Sequence, residues 1–310
     1  MHLHHLKTNL IARALIFSCV LISLLSCAQR QASVQLKIQS REVVDEAGRK
    51  VTLPGKIERV VSLAPNLTEI VYAVGSGDRL VGNTTFCNYP PQAKDVAKVG
   101  DTLQPSIERI LALHPQLVLV STASQLEAFT TQLNEQHIAV YITDPRDLEG
   151  VFHSISNVGD LLGKSDVAVE LVKQLRARTQ AVESAVTGLQ PVSVFFQLSG
   201  QPLYTAGKTS FVTNLIERAG GRSVTADINE AWPRLGDEAA LASHPEAIIM
   251  LSGAMGATAN AQVASALRNS PAVKNGRVYM IDGDLLTRPG PRLVDGLEQI
   301  ARALHPEAFK

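Results

Sequence analysis

Hydrophobic and polar positions follow one pattern twice, in IERILALHPQLVLVS at residues 107–121 and in DEAALASHPEAIIMLS at 237–252. In each copy a glutamate, Glu108 or Glu238, opens an apolar helical turn, a His-Pro pair follows (His114-Pro115, His244-Pro245), and an apolar run comes next. Proline cannot continue a helix and disfavours helical dihedrals in the residue before it, so each helix is predicted to end at its histidine. The runs Leu117 to Val120 and Ala247 to Leu251 are too short for a core helix and are apolar on consecutive positions, the pattern of a parallel strand buried on both faces. Each copy reads as helix, stop, buried strand.

The copies lie about 130 residues apart, well beyond the roughly 20–50 of a solenoid repeat, and predict two similar lobes. Flanking segments agree: TEIVYAVGSGDRLVG (68–82) resembles TNLIERAGGRSV (213–224), and HIAVYITD (137–144) resembles GRVYMID (276–282). Residues 41–62 alternate strand-like pieces with turns at Ala47-Gly48 and Pro54-Gly55, which predicts a short hairpin and then the first core strand. Between the lobes, residues 147–187 hold no proline, and apolar positions from Ala168 to Val186 keep helical spacing behind Ser165, a suitable cap. The predicted class is α/β: two similar lobes, each a small mostly parallel sheet flanked by helices, joined by one long helix that resists bending. The N-terminal lobe is 41–146, the linking helices 147–187 and the C-terminal lobe 188–310.

The chain starts with an address rather than with structure. Lys7 and Arg13 precede an apolar run, Ala14 to Leu25, that is short of the roughly 20 residues a membrane span needs, so residues 1–27 read as a signal peptide and 28–40 as a polar tether. Cys27 follows Leu24-Leu25-Ser26 in a setting that resembles a bacterial lipobox, with Leu25 where a smaller residue is usual; lipidation at Cys27 and ordinary cleavage nearby both stay open. Formal charges cancel, 29 basic against 29 acidic, which gives no footprint for nucleic acid. Of three cysteines, Cys19 and Cys27 belong to the signal, leaving Cys87 without a disulfide partner.

Enzyme chemistry finds little support. Gly207-Lys208-Thr209 resembles the end of a phosphate loop, but Pro202 stands where that loop needs glycine, and a cap for the helix near Phe211 is the better reading. No Gly-x-Ser-x-Gly elbow and no His-Glu-x-x-His occurs. His114, His244 and His305 precede proline at helix ends, where a donor suits exposed carbonyls. The turn Ala64 to Glu69, with Asn66, has cap chemistry at a strand end, where open α/β layers bind ligands. The loop NTTFCNYPPQA, with Phe86 and Tyr89, follows the next strand; Trp232 precedes proline on a polar loop, and Asp284 and Arg288 stand on a loop over 283–291. Pro291 suits the first turn of the last helix. Two acids at matching positions of two lobes, Glu108 and Glu238, suit docking on a symmetric dimer with basic pockets.

With these residues in hand, the chain resembles the helical-backbone periplasmic binding proteins of ABC importers that carry cobalamin, haem and iron-siderophores. The resemblance runs from DEAGRKVTLP and RVVSLAPNLTEIVYAVG through CNYPPQA and IERILALHPQLVLV to RPGPRLVDGLEQIARALHP, and is strongest toward the cobalamin binders. It implies a monomer that binds a corrinoid between its lobes, takes no cofactor and meets a dimeric permease through Glu108 and Glu238. Phe86 falls where those binders have a cleft tyrosine, Trp232 matches a cleft tryptophan, and Asp284 and Arg288 match polar ligand contacts. Thr102, followed by Leu103, stands where a second tryptophan is expected, which keeps haem and ferric siderophores open as ligands. Asn66 and Tyr89 complete the expected ligand set; an exported hydrolase is the alternative of a different class.

Overall fold

The computed structural model describes residues 40–122, 127–253 and 262–310. The leader, Cys27 and residues 28–39 of the tether lie outside them, while Ser40 opens the first strand. The chain runs β1 (Ser40–Val44), β2 (Lys50–Pro54), β3 (Val60–Ser62), α1 (Pro65–Ala73), β4 (Leu80–Asn83), α2 (Ile107–Ala112), β5 (Leu117–Ser121), α3 (Glu127–Glu135) and β6 (Ala139–Thr143). After α4 (Leu148–Leu161) and α5 (Ser165–Val186) come β7 (Val192–Gln197), β8 (Ser199–Gly200), β9 (Leu203–Tyr204), α6 (Phe211–Arg218), β10 (Gly221–Ser223), α7 (Asp237–Ala242) and β11 (Ala247–Ser252). The chain closes with α8 (Pro271–Lys274), β12 (Val278–Asp282), α9 (Gly283–Thr287) and α10 (Leu293–Leu304).

The repeat seen in the sequence is a repeat of whole lobes. One sheet has the order β4-β3-β5-β6 and the other β10-β7-β11-β12, with every pairing in both parallel. The apolar runs of the two His-Pro units become β5 and β11, each central in its sheet and shielded on both faces. Ahead of β3, β1 and β2 form the expected antiparallel hairpin, whose turn is organised by buried Asp45 accepting from the Ala47 and Arg49 amides.

The His-Pro units differ from expectation in one detail. The helices end at Ala112 and Ala242, and His114 and His244 take left-handed dihedrals, φ 45° and 40°. Proline disfavours the right-handed helical region in the residue before it, and here the chain leaves through the left-handed cap conformation that glycine usually fills. His137 takes it too, φ 58°, without a following proline. Nor do these histidines satisfy the open carbonyls: Arg59 donates to Leu113 O at 3.0 and 2.6 Å and to His114 O at 3.2 Å. His305 Nε2 does lie 2.9 Å from a carbonyl oxygen, that of Gly220.

The long helix is α5, 22 residues and therefore about 33 Å of connector. Its cap position is Lys164, without a side-chain cap, and Ser165 is its first residue rather than its cap. Helix α4 lies against it, capped by Asp147 accepting from the Gly150 amide at 2.7 Å. Arg178 of α5 reaches across to α10, pairing Asp295 at 2.6 Å and Glu298 at 2.8 Å. The largest apolar core is continuous from one lobe to the other: Leu67 and Ile70 of α1, Phe152 and Ile155 of α4, Leu175 of α5, Leu215 of α6 and Ile300 of α10 belong to it. Each lobe adds a smaller cluster on the other face of its sheet. A core that runs through the connector resists separation of the lobes, since opening would expose it.

The α4–α5 contact rests on Gly159, where an added Cβ would stand 2.3 Å from Ala168 Cβ. Neither group can rotate away. Gly159→Ala is therefore expected to destabilise by about 1–3 kcal/mol despite the better helix propensity of alanine. Urea unfolding checks this, and a midpoint equal to or above that of the parent protein would contradict it.

Candidate ligand cleft

In parallel sheets the free space for a ligand lies at the carboxyl ends of the strands. Here those ends face each other across the two lobes. From the N-terminal lobe come the β3–α1 turn and the loop after β4; from the C-terminal lobe come α9 and the chain leading into α10. Asn66 Nδ2 donates across the gap to Pro289 O at 3.3 Å, and Asn88 Nδ2 to Asp284 Oδ2 at 3.2 Å.

Helix α1 corrects the sequence reading of its turn. Ala64 is the cap residue, makes no side-chain cap bond, and is followed by Pro65 at the first helical position. The polar residues of the turn face inward instead. Thr68 Oγ1 donates to Ser62 Oγ at 3.0 Å and stands 3.2 Å from Cys87 Sγ, which also has Thr84 Oγ1 at 3.2 Å. Cys87 is 1 % exposed, so this thiol is packed filler rather than a reactive group.

Glu69, one turn on, is the most committed carboxylate in the region. Arg292 donates to both its oxygens, Nη2 to Oε1 at 2.6 Å and Nε to Oε2 at 2.9 Å, and Arg288 Nη1 adds a longer contact at 3.4 Å. Arg288 also donates to Asn88 Oδ1 at 2.7 Å and to the Phe86 carbonyl at 3.4 Å, and pairs with Asp284 at 2.8 Å. All these side chains are buried or nearly so, with Asp284 at 8 % and Arg288 at 6 %. Buried charge is tolerated only when paired, and here two carboxylates meet two guanidinium groups, so the cluster is neutral. Burial pulls the Arg292 pKa down, but its bonds to Glu69 and the charges of Glu69 and Asp284 outweigh this and raise it.

Asp284 and Arg288 are not loop residues. Asp284 lies in α9, capped by Asp282, which accepts from the Asp284 amide at 3.0 Å, and Arg288 ends that helix. Helix α10 begins at Leu293 with Arg292 as its cap residue, so Pro291 precedes the helix rather than opening it.

The aromatic residues divide. Phe86 and Tyr89 are 50 % and 43 % exposed, and the Arg292 guanidinium lies 3.9 Å over the Tyr89 ring. Trp232 is half-buried between Phe196 and Phe211, with centroids 6.3 and 6.1 Å away. The loop carrying Phe86 and Tyr89 is shaped from behind by Lys98, whose Nζ donates to Asn83 Oδ1, the Ala93 carbonyl and the Cys87 carbonyl at 2.7, 2.9 and 3.4 Å. Thr102 is partly exposed in a turn held by Asp101, which accepts from the Leu103 and Gln104 amides; Leu103 beside it is 73 % exposed.

Elsewhere, Gly207-Lys208-Thr209 does not cap α6; Ser210 does, accepting from the Val212 amide. Gly207 is needed for close approach, since a Cβ there would meet Glu230 O at 2.3 Å. Glu108 and Glu238 stand exposed in the first turns of α2 and α7, neither held in an ion pair among the described residues. Cavities of 420 and 470 Å³ border β2 with β6 and the start of β7, and neither is lined by cleft residues. Among the described residues no cluster of His, Cys, Asp and Glu could hold a metal ion.

Sequence reasoning named Asn66, Phe86, Tyr89, Asp284 and Arg288, which the fold gathers at one inter-lobe junction, and missed Glu69, Asn88 and Arg292. In α1 the polar Asn66, Thr68 and Glu69 are buried along with Leu67, Ile70 and Val71, and a glutamate so buried needs a buried partner.

The profile of the periplasmic binding protein family matches residues 60–285. An uncharacterised ABC transporter substrate-binding lipoprotein of Bacillus subtilis is 33% identical over 273 residues, covering 86% of each chain. Among solved structures, the periplasmic vitamin B12 binding protein of Vibrio cholerae superposes with a TM-score of 0.71 at 30% identity, covering 82% of this chain and 98% of that one. A periplasmic haem-binding protein solved with two haems gives a TM-score of 0.73 at 28% identity, covering 81% and 99%. The two-lobed architecture, the strand-end cleft and these matches together make the chain a member of the periplasmic binding protein family.

Proposed function

We propose that this chain is the extracytoplasmic substrate-binding protein of an ABC importer, and that it carries a corrinoid of the cobalamin type between its lobes. The observation that carries the reading is a cleft with exposed aromatic faces, Phe86 and Tyr89, beside a charge cluster that is already neutral. A corrin offers a broad apolar ring face and a rim of amides, which suits aromatic stacking and a few polar contacts. An anionic ferric siderophore favours cations that are not charge-paired. Arg288 and Arg292 are paired with Glu69 and Asp284, and Arg288 keeps one donor, Nε, without a partner among the described residues. The vitamin B12-binding relative supports the same choice. Haem is the second reading, favoured by the haem-binding neighbour and by Tyr89, an exposed phenol able to meet ferric iron.

In this reading Asn66, Phe86, Tyr89, Thr102, Trp232, Asp284 and Arg288 border the ligand, with apolar Leu103 beside Thr102 standing in for a second aromatic wall. Glu108 and Glu238, free at matching positions of the two lobes, dock on basic pockets of a dimeric permease. The leader directs export, with Cys27 as a lipid attachment point. The described residues contain no helix long and apolar enough to cross a membrane.

Calorimetric titration of the purified protein with cyanocobalamin should give one-to-one binding. Trp232→Ala should weaken it by about 1.5–3 kcal/mol, on the order of 10- to 100-fold, through loss of an aromatic face. Absence of cyanocobalamin binding, with one-to-one binding of haemin, would replace the corrinoid reading by the haem reading.

Docking has a separate test. The double variant Glu108→Lys, Glu238→Lys should keep ligand affinity within about threefold yet reduce uptake by cells at least tenfold, because like charges then face each other across the interface. Unchanged uptake would make the two acids ordinary helix-start residues.

A further inference from the structure

We infer that Glu69 is a positioning residue for the ligand site: it grips two arginines of the opposite lobe and through them fixes the register of the two halves of the cleft. This rests on the reading of the cleft as the binding site. Glu69 stands on α1, in the N-terminal lobe, with its side chain 2 % exposed. Its partners are 219 and 223 residues away, at the end of α9 and the start of α10. The buried Asp45 makes a useful contrast, since its arginine partner Arg49 lies in the same hairpin and the pair reaches only β6 of the same lobe, through the Ile142 amide and the Val140 carbonyl.

The geometry suits a device that sets distance and orientation together. Arg292 meets Glu69 through Nε and Nη2, one bond to each carboxylate oxygen, and such a fork fixes the relative plane of the two groups as well as their separation. Both arginines then carry the constraint back to the aromatic loop of the first lobe. Arg292 lies over the Tyr89 ring, while Arg288 holds Asn88 Oδ1 and the Phe86 carbonyl. One carboxylate therefore anchors the two cations that shape the backbone beneath Phe86 and the ring of Tyr89. Backbone follows side chain here: Gly290, between the two arginines, would bring a Cβ to 3.5 Å of Asn66, so the strand-end turn and the arginine segment are in direct contact.

Hydrogen exchange of the parent protein and of Glu69→Gln, with a parallel titration by cyanocobalamin, tests the assignment. The amide of glutamine cannot accept from two guanidinium groups as a charged fork does. Segments 84–93 and 283–292 should exchange about tenfold faster or more in the variant, while β5 and β11 keep their protection, and cyanocobalamin affinity should fall by about tenfold or more. Unchanged exchange of the two segments would overturn the assignment, as would equal acceleration in segments and core strands alike, which marks a general loss of stability. If Glu69→Gln does not fold, Arg292→Lys gives the same reading, because lysine keeps the charge and loses the fork. If the parent protein fails to bind cyanocobalamin, the corrinoid reading falls, and the exchange pattern still decides the role of Glu69.

Discussion

A carboxylate removed from water has to be paired, and Glu69 finds its partners only in the other lobe. Breaking such a pair from one side costs about 3–5 kcal/mol, because a charge is left buried and uncompensated. This makes the junction between α1 and the α9–α10 segment a fixed point of the molecule. The second fixed point is the connector. Helix α5 shares one apolar core with both lobes and is tied to α10 through Arg178. Held at the junction by charge and at the back by apolar packing, the lobes would present the proposed site already shaped. A pre-shaped site binds without the ordering cost that a mobile one incurs.

The neutrality of the junction also bears on the ligand. Arginines in a cleft are commonly taken as receptors for anions, but a guanidinium already charge-paired with a buried carboxylate attracts a further anion less strongly. Arg292 gives two donors to Glu69, and Arg288 divides its donors among Glu69, Asn88, Asp284 and a carbonyl. Exposed on the loop beside the junction are the aromatic side chains of Phe86 and Tyr89. In the proposed reading the cleft therefore takes a large ligand with an uncharged face rather than a compact anion.

Much of this architecture was legible in the sequence because it is written in strong local signals. Proline after His114 and His244, followed by four or more apolar residues, is a pattern with few other solutions, and its repetition announced two lobes. The absence of proline over 147–187, with helical apolar spacing, did the same for the connector. What escaped depended on partners far away in the chain. Glu69 reads as an ordinary residue of the strand-to-helix segment until the fold brings Arg288 and Arg292 to it. The left-handed histidines were missed because that conformation is usually the province of glycine. The short helix α9 was hidden in DGDLLTRPG, where glycine and proline suggest a loop and the cap supplied by Asp282 tips the balance.

In the proposed reading a ligand rests between the lobes, above a junction that stays closed. A crystal structure of the protein grown with cyanocobalamin tests it most directly. The corrin should contact Phe86 or Tyr89 on one side and the Trp232 loop on the other, with both Glu69–Arg292 bonds retained. A ligand bound at the amino ends of the strands, or one that enters by parting Glu69 from Arg292, would contradict it.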